Sequence, residues 1–473
     1  MGEDPVANGI NGTDGTYLLP PVTIDKLANF ALGIPGSPAE EQEARHVHRR
    51  NTTDHAGVRE GLNPIDLAEV GWGLVFPADA SDATVAAISE ALQPLIKKRR
   101  EQASEHDETY FQIYAGERGL RADENKRQFL SRHGVGIAAA DPRQMPYYLL
   151  LVGTPGELPF RAQYQLDVQR AVGRLSFDRI EDYAQYAQNV IAAEAAPPSP
   201  PRLSFFGPRN PDDAATALSA DQLLQPLASW ANAMGWQTEV AIGDPATKRR
   251  LGEMLTKAAP HILFTASHGM GFAIDDPRLG GHQGALLCQD WPGPQHHRGA
   301  IPGDFYFSAD DIPATGSMQG MIAFHFACFS LGTPEFDDFS TAGDRRRLAA
   351  GPFVAALPRQ LLCRPDGPLA VIGHVERAWG YSFYEAESGK QLAAFEDMLK
   401  RLADGHPVGS ALEPMNARYA ELATTLADEI EDRRYGKRSS DALLAGLWTA
   451  CNDARNYAVL GDPAVRLGVG GQP

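Results

Sequence analysis

From about residue 65 onward, short apolar runs alternate with amphipathic stretches. Gly71–Phe76, Tyr147–Val152, Ala171–Val172, Leu203–Gly207, Ile262–Ala266, Met321–Phe326 and Leu369–Ile372 are brief and bounded by small or turn-forming residues. Runs of that kind read as strands buried on both faces of a parallel sheet. Between them the apolar positions shift to a helical period. Val85, Ile88, Leu92, Leu95 and Ile96 share one face behind Asp82 as a cap. Leu223, Leu227, Trp230 and Met234 share another behind a Ser219/Gln222 capping box. Further helices are expected over Ile180–Ala195 and Thr247–Ala258, and around Leu392, Phe395, Leu399 and Leu402. Strand–helix alternation predicts an α/β fold, a mostly parallel sheet flanked by helices.

The pattern also divides the chain. Residues 1–64 are polar, rich in Gly, Pro, Asp and Asn, and are expected to be only partly ordered. Strand–helix alternation fills 65–195 as a first α/β half. Ala196-Pro197-Pro198-Ser199-Pro200-Pro201 then stops the preceding helix, because proline cannot continue one. A second α/β half, 202–473, carries the candidate chemistry. Within it 275–317 is dense in Gly, Pro, Asp and His and has little periodicity, so a functional or disordered loop is expected.

Two strand ends hold that chemistry. Ile262–Ala266 runs into Ser267-His268-Gly269, and Met321–Phe326 runs into Ala327-Cys328. In open parallel sheets, ligands gather at the carboxyl ends of the strands. His268 and Cys328 are therefore expected to face one cleft, where imidazole assists formation of an attacking thiolate. Gly269 leaves a backbone N–H open to a developing oxyanion, with the Cys328 N–H as second donor. Each residue alone has a plainer reading: a cysteine ending an apolar strand is usually core, and a loop histidine is usually solvated. Their joint placement favours chemistry. His133-Gly134 is a second His-Gly pair, but Phe129–Arg132 is a poor strand and no Ala-Cys follows in that half.

Composition narrows the partners. The chain has 473 residues, is 43% hydrophobic, and carries a net charge of −17 without a basic stripe. That disfavours nucleic acid and anionic membranes as partners, and no apolar run is long enough to span a bilayer. Cys288, Cys328, Cys363 and Cys451 are scattered, which argues against a disulfide framework and for a reducing compartment. No signal-peptide pattern opens the chain, so a cytoplasmic location is expected. His282, His296 and His297 match no standard metal spacing. No metal or organic cofactor is called for.

A hydrophobic block ending in His-Gly, then one ending in Ala-Cys, resembles the caspase-like superfamily of cysteine peptidases. Three more stretches resemble its gingipain-like members: Tyr147–Gly153 with Glu157-Leu158-Pro159, Ala171–Leu175, and Tyr457–Leu460 with Gly461-Asp462-Pro463. The resemblance covers about 145–470, and more loosely 65–145. It implies a caspase/gingipain-like α/β fold and a cysteine endopeptidase acting on protein or peptide substrates, with room for an activating partner. It also implies that Trp379 walls the specificity pocket. In gingipains a glutamate orients the imidazole after the first strand of the catalytic half; here that stretch reads Gly207-Pro208-Arg209-Asn210. Asp213 or Glu376 is a candidate to receive a basic P1 side chain, and Arg377 an acidic one. The segments 275–317 and Arg345-Arg346-Arg347 are candidates to regulate access. The competing readings are a catalytically silent caspase-like interaction module and an unrelated thiol enzyme.

Overall fold

The computed structural model describes residues 9–17, 57–59, 61–136, 138–256, 260–340, 345–385, 389–435 and 440–470. Its strands are, in chain order, β1 (Gly9–Asn11), β2 (Trp72–Val75), β3 (Phe111–Tyr114), β4 (Tyr148–Val152), β5 (Ala171–Leu175), β6 (Arg202–Gly207) and β7 (Gln237–Ile242). There follow β8 (Ile262–Ala266), β9 (Gly269–Gly271), β10 (Leu286–Leu287), β11 (Tyr306–Phe307) and β12 (Ile322–Phe326). After two residues each for β13 (Gly332–Thr333) and β14 (Phe353–Val354) come β15 (Ala370–His374), the small β16 (Tyr384–Glu385) and β17 (Gly389–Lys390), and β18 (Tyr457–Gly461).

Ten of these form one sheet in the order β3-β2-β4-β5-β18-β15-β12-β8-β6-β7. Every neighbouring pair is parallel except β15–β18. The expected α/β fold with a mostly parallel sheet is therefore what the chain adopts. The single antiparallel step reverses direction, so β3, β2, β4, β5 and β18 point one way and β15, β12, β8, β6 and β7 the other. The Gly461-Asp462 turn after β18 ties the halves together. Asp462 accepts from Trp72 Nε1 (2.9 Å) and Arg99 Nε (2.6 Å), and Arg99 also bonds Glu194. Arg99 and Asp462 are buried, so each charge depends on the other for compensation.

Local details differ from the sequence expectation in three places. The helix expected behind Asp82 is two helices, Asp82–Ala91 and Gln93–Ala103, with Pro94 opening the second and Ser81 rather than Asp82 capping the first. Ser219 is not a cap: its hydroxyl bonds back to Ala215 O, inside a helical run that begins at Ala214 and is capped by Asp213. The 275–317 stretch is ordered rather than a bare loop. Its β10 and β11 join β9 and β1 in a four-stranded side sheet, packed around Met270, Leu287, Trp291 and Ile301. Most of the polar 1–64 segment, with His46, His48 and His55, lies outside the described residues.

Candidate active site

β8 and β12 are neighbours in register, with Ala266 opposite Phe326. His268 and Cys328 each lie two residues beyond those partners, so one offset brings both to the same edge. The backbones there are nearly in contact. A Cβ added to Gly269 would sit 1.8 Å from Cys328 O and 2.8 Å from Cys328 N. Only glycine fits, which gives the His-Gly pair a steric reason independent of any motif.

His268 is fully buried and its Nε2 lies 2.9 Å from Asp213 Oδ2. Asp213 is fixed by its own role as a helix cap, accepting from Thr216 N (3.1 Å) and Thr216 Oγ1 (2.5 Å). Tyr17 OH donates to its other oxygen at 2.5 Å. Burial works against the Asp213 charge. The facing His268 and the hydrogen bonds from His268, Thr216 and Tyr17 overcome that and hold the carboxyl well below the usual carboxylate range. With Nε2 committed to the carboxylate, the free valence of the ring is Nδ1, which has no hydrogen-bond partner.

Cys328 is also fully buried. Its sulfur does not bond His268 Nδ1; it receives the Ala378 N–H at 3.4 Å. Burial pushes the thiol up to about 12, against the pull of that N–H and of Arg377. Burial thus keeps the thiol protonated at neutral pH.

The site is covered by the N-terminal segment. β1 pairs in parallel with β9, Gly9 against Gly269 and Asn11 against Gly271. The chain turns back through Asn11 N to Thr16 O (2.7 Å), which sets Tyr17 edge-on to the His268 ring at 5.6 Å. Trp291, from the 275–317 stretch, approaches the same ring at 6.3 Å. Asn210 Nδ2 locks that stretch to the loop after β6 by bonding Cys288 O (3.1 Å) and Trp291 O (2.8 Å).

The four residues singled out for substrate recognition separate into two groups. Asp213 stands with His268. Glu376, Arg377 and Trp379 stand beside Cys328, flanking Ala378, and all three are buried. Arg377 forms a fork on Asp337 (2.7 and 2.8 Å) and reaches Glu376 Oε1 (3.0 Å). Burial holds the Glu376 carboxyl well above its usual range despite Arg377, and its Oε2 has no hydrogen-bond partner. Trp379 packs on Phe339 at 5.1 Å, and its N–H donates to Asp453 (2.7 Å). His282 meets Tyr306 and Asp310, and His296 lies 3.8 Å from Asp212. Among the described residues no group of three His, Cys, Asp or Glu side chains is arranged to hold a metal ion. No described helix is long and apolar enough to cross a membrane.

Sequence reasoning missed Tyr17, which sits in an otherwise featureless polar segment, and the bond from Asp213 to His268. The signal for the second was present: Asp213-Ala214-Ala215-Thr216 is a cap sequence, and a cap at 213 rather than 219 brings a fixed carboxylate close behind β6.

No family model matches the chain, and no curated protein matches it in sequence. Among solved structures it is similar to gingipain R, an Arg-specific cysteine proteinase, at 13% identity and TM-score 0.49, over 86% of this chain and 80% of that one. It is also similar to a complex of RgpB pro- and mature domains from Porphyromonas gingivalis, at 14% identity and TM-score 0.45, over 84% and 79% of the two chains. A third similar structure, described as a protease, gives 13% identity and TM-score 0.46 over 84% and 78%.

Proposed function

We propose that this chain is a cysteine endopeptidase in which Cys328 is the nucleophile, His268 the general acid–base and Asp213 the residue that positions the imidazole. The observation that carries the reading is the His268 ring itself: Nε2 pinned by a fixed carboxylate, Nδ1 unpartnered, and Gly269 pressed against the Cys328 backbone. Asp213 fills the role left open by the Gly207–Asn210 stretch. In the reaction, Sγ leaves the Ala378 N–H by rotation about χ1 and turns toward Nδ1. The thiol proton passes to Nδ1, the sulfur attacks the peptide carbonyl, and the imidazolium returns the proton to the leaving amine. The Gly269 and Cys328 N–H groups receive the oxyanion. Water then attacks the thioester, and Cys328 is regenerated. Catalytic contacts in an empty site are often loose.

A basic P1 side chain suits this site better than an acidic one. Arg377 is already met by the Asp337 carboxylate, whereas Glu376 keeps Oε2 unpartnered in a buried setting. An arriving guanidinium or ammonium would stabilise the ionised form of that carboxyl. The buried thiol and the β1–Tyr17 cover support a latent resting state, opened by substrate, by an activating partner or by displacement of the N-terminal segment. The test is cleavage of fluorogenic peptides bearing Arg, Lys, Asp or Leu at P1, with wild type and Cys328→Ala side by side. Turnover of the basic peptides, lost in the variant, is the expected result. No turnover, and no labelling of Cys328 by an Arg chloromethyl ketone even after removal of residues 1–17, leaves the silent interaction module as the better reading.

A further inference from the structure

Away from that site the first half buries two cations that have no neutralising partner among the described residues. Arg170, immediately before β5, is 2% exposed and Lys126, at the start of the helix Lys126–Arg132, is 5% exposed. Lys126 Nζ and all three guanidinium nitrogens of Arg170 lack hydrogen-bond partners. The two elements are tied together, since Lys126 N donates to Gln165 Oε1 at 3.1 Å. The side chains feel each other's charge: Arg170, after burial, is the next influence lowering the Lys126 ammonium. Tyr114, at the end of β3, is the further group that interacts with Arg170.

The nearby acids are spent elsewhere. Asp167 turns to the Val172 N–H (3.0 Å), and Glu124 forks onto Arg132 (2.7 Å on both oxygens). The surroundings are otherwise the apolar cluster of Tyr114, Phe129, Leu130, Leu149, Leu151 and Leu166. In a chain of net charge −17, the stretch 116–133 nonetheless holds Arg118, Arg121, Lys126, Arg127 and Arg132 against Glu117, Asp123 and Glu124. Contrast Arg99, equally buried, which is met by both Asp462 and Glu194. An ionised group in an apolar interior requires a partner of opposite charge, and among the described residues none supplies one.

We propose that Lys126 and Arg170 form an internal binding site for a small, doubly charged oxyanion of the phosphate type. Two fixed positive charges match two negative ones. The planar guanidinium offers paired N–H donors in the geometry a phosphate or sulfate accepts, and Lys126 adds a mobile ammonium. Tyr114 O–H is the third donor. Arg118, exposed, lies over the Tyr114 ring at 5.0 Å and adds positive charge on that side. β5 is four strands from β8 in the sheet, about 19 Å at the usual strand spacing. The site therefore stands apart from His268 and does not depend on the peptidase reading.

The test is thermal unfolding of the full chain in an anion-poor buffer, titrated with sodium phosphate, sodium sulfate, sodium malonate or sodium chloride at matched ionic strength. Phosphate and sulfate should raise the wild-type Tm by several degrees in a saturating manner, as expected for a ligand that binds only the folded state. Chloride should not. Lys126→Met/Arg170→Met should melt above wild type in the anion-poor buffer, because two unpaired buried charges are gone, and should no longer respond to phosphate. Should the double variant not fold, Lys126→Gln alone serves, with phosphate binding to wild type measured directly by titration calorimetry. Equal effects of phosphate and chloride, a saturating rise retained in the variants, no binding heat at millimolar phosphate, or a response to malonate alone would each overturn the assignment.

Discussion

Strand β12 is flanked by two buried His–Asp pairs set in different surroundings. On the β8 side, His268 Nε2 meets Asp213 at 2.9 Å; on the β15 side, His374 Nε2 lies 3.3 Å from Asp453. Both histidines are fully buried, and both Nδ1 atoms are unpartnered. The difference lies in what surrounds them. His374 is still inside the sheet, in register with Tyr457 and tilted against its ring at 4.1 Å. Asp453 is occupied by the Trp379 N–H and by a short hydrogen bond from Ser382, which also meets Tyr457. That pair is a rivet for the 376–382 loop. His268 lies beyond its strand, against the Cys328 backbone, and what covers it among the described residues is the segment Gly9–Tyr17 rather than the main sheet. Under the peptidase reading, that position past the strand end is what would separate a working histidine from a packing one.

The sharpest way to break this comparison is to exchange the losses. Under the peptidase reading, Cys328→Ala should reduce cleavage to background, and His268→Ala should reduce kcat by about 10²–10⁴-fold, the usual contribution of a general acid–base. Neither should lower Tm by much more than the small packing change requires. His374→Phe should do the reverse, lowering Tm while keeping kcat within roughly tenfold, because it is a positioning and packing residue. If His374→Phe lost as much turnover as His268→Ala at an unchanged Tm, the roles of the two pairs would be exchanged.

The aspartates give the next largest contrast. Asp213→Asn should lower kcat by about 10²-fold or more while leaving KM nearly constant, since the wrong imidazole tautomer is then favoured. It should also leave a signature in stability against pH. The folded-state pKa of Asp213 is depressed, so its contribution is present above the unfolded value, about 3.9, and is lost as pH falls from there through the folded value. Urea unfolding at pH 7 should therefore separate wild type from Asp213→Asn, and the gap should narrow at pH 3. Asp453→Asn should cost about 1–3 kcal/mol through its lost hydrogen bonds and should shift kcat far less than Asp213→Asn.

Much of this was legible in the sequence, for physical reasons. The strands β8 and β12 are continuous apolar runs because both faces of the sheet are covered, and the residues after them mark the edge where chemistry collects. The α/β pattern and the placement of His268 and Cys328 at one edge follow from that, whereas the steric constraint at Gly269 depends on the Cys328 backbone beside it. What escaped is whatever depends on long-range contact. Asp213 was visible as an acid but not as the partner of His268, because 55 residues separate them. Tyr17 reaches Asp213 across 196 residues from a segment with no periodicity. The ordered side sheet within 275–317 escaped because β10 and β11 are two residues each, too short to show alternation. The unpaired state of Arg170 is likewise a fact about neighbours that never arrive.

The smallest expected effect tests the cover, and it falls on one hydroxyl. Tyr17 contributes an edge-on ring to His268 and a hydrogen bond to the Asp213 carboxylate. Burial and the Asp213 charge both push its own phenol upward, so it remains a donor at neutral pH. Burial raises the Cys328 thiol and shields it from solvent in the closed form, so little thiolate meets a reagent there. Alkylation by iodoacetamide should therefore proceed through a minor open form. A hydrogen bond to a charged group is worth about 1.5–3 kcal/mol, so Tyr17→Phe should raise the open population, and the Cys328 labelling rate, by roughly tenfold or somewhat more. Deletion of residues 1–17 should raise it further, with Cys451 labelling unchanged because that thiol is buried in the helix Asp441–Arg455, outside the β1–β9–β10 side sheet. A Tyr17→Phe rate equal to wild type would mean that the hydroxyl does not hold the cover in place. A rate that rose equally at Cys451 and Cys328 would point to general loosening, and the contrast between a removable cover over His268 and the permanent one over His374 would fall.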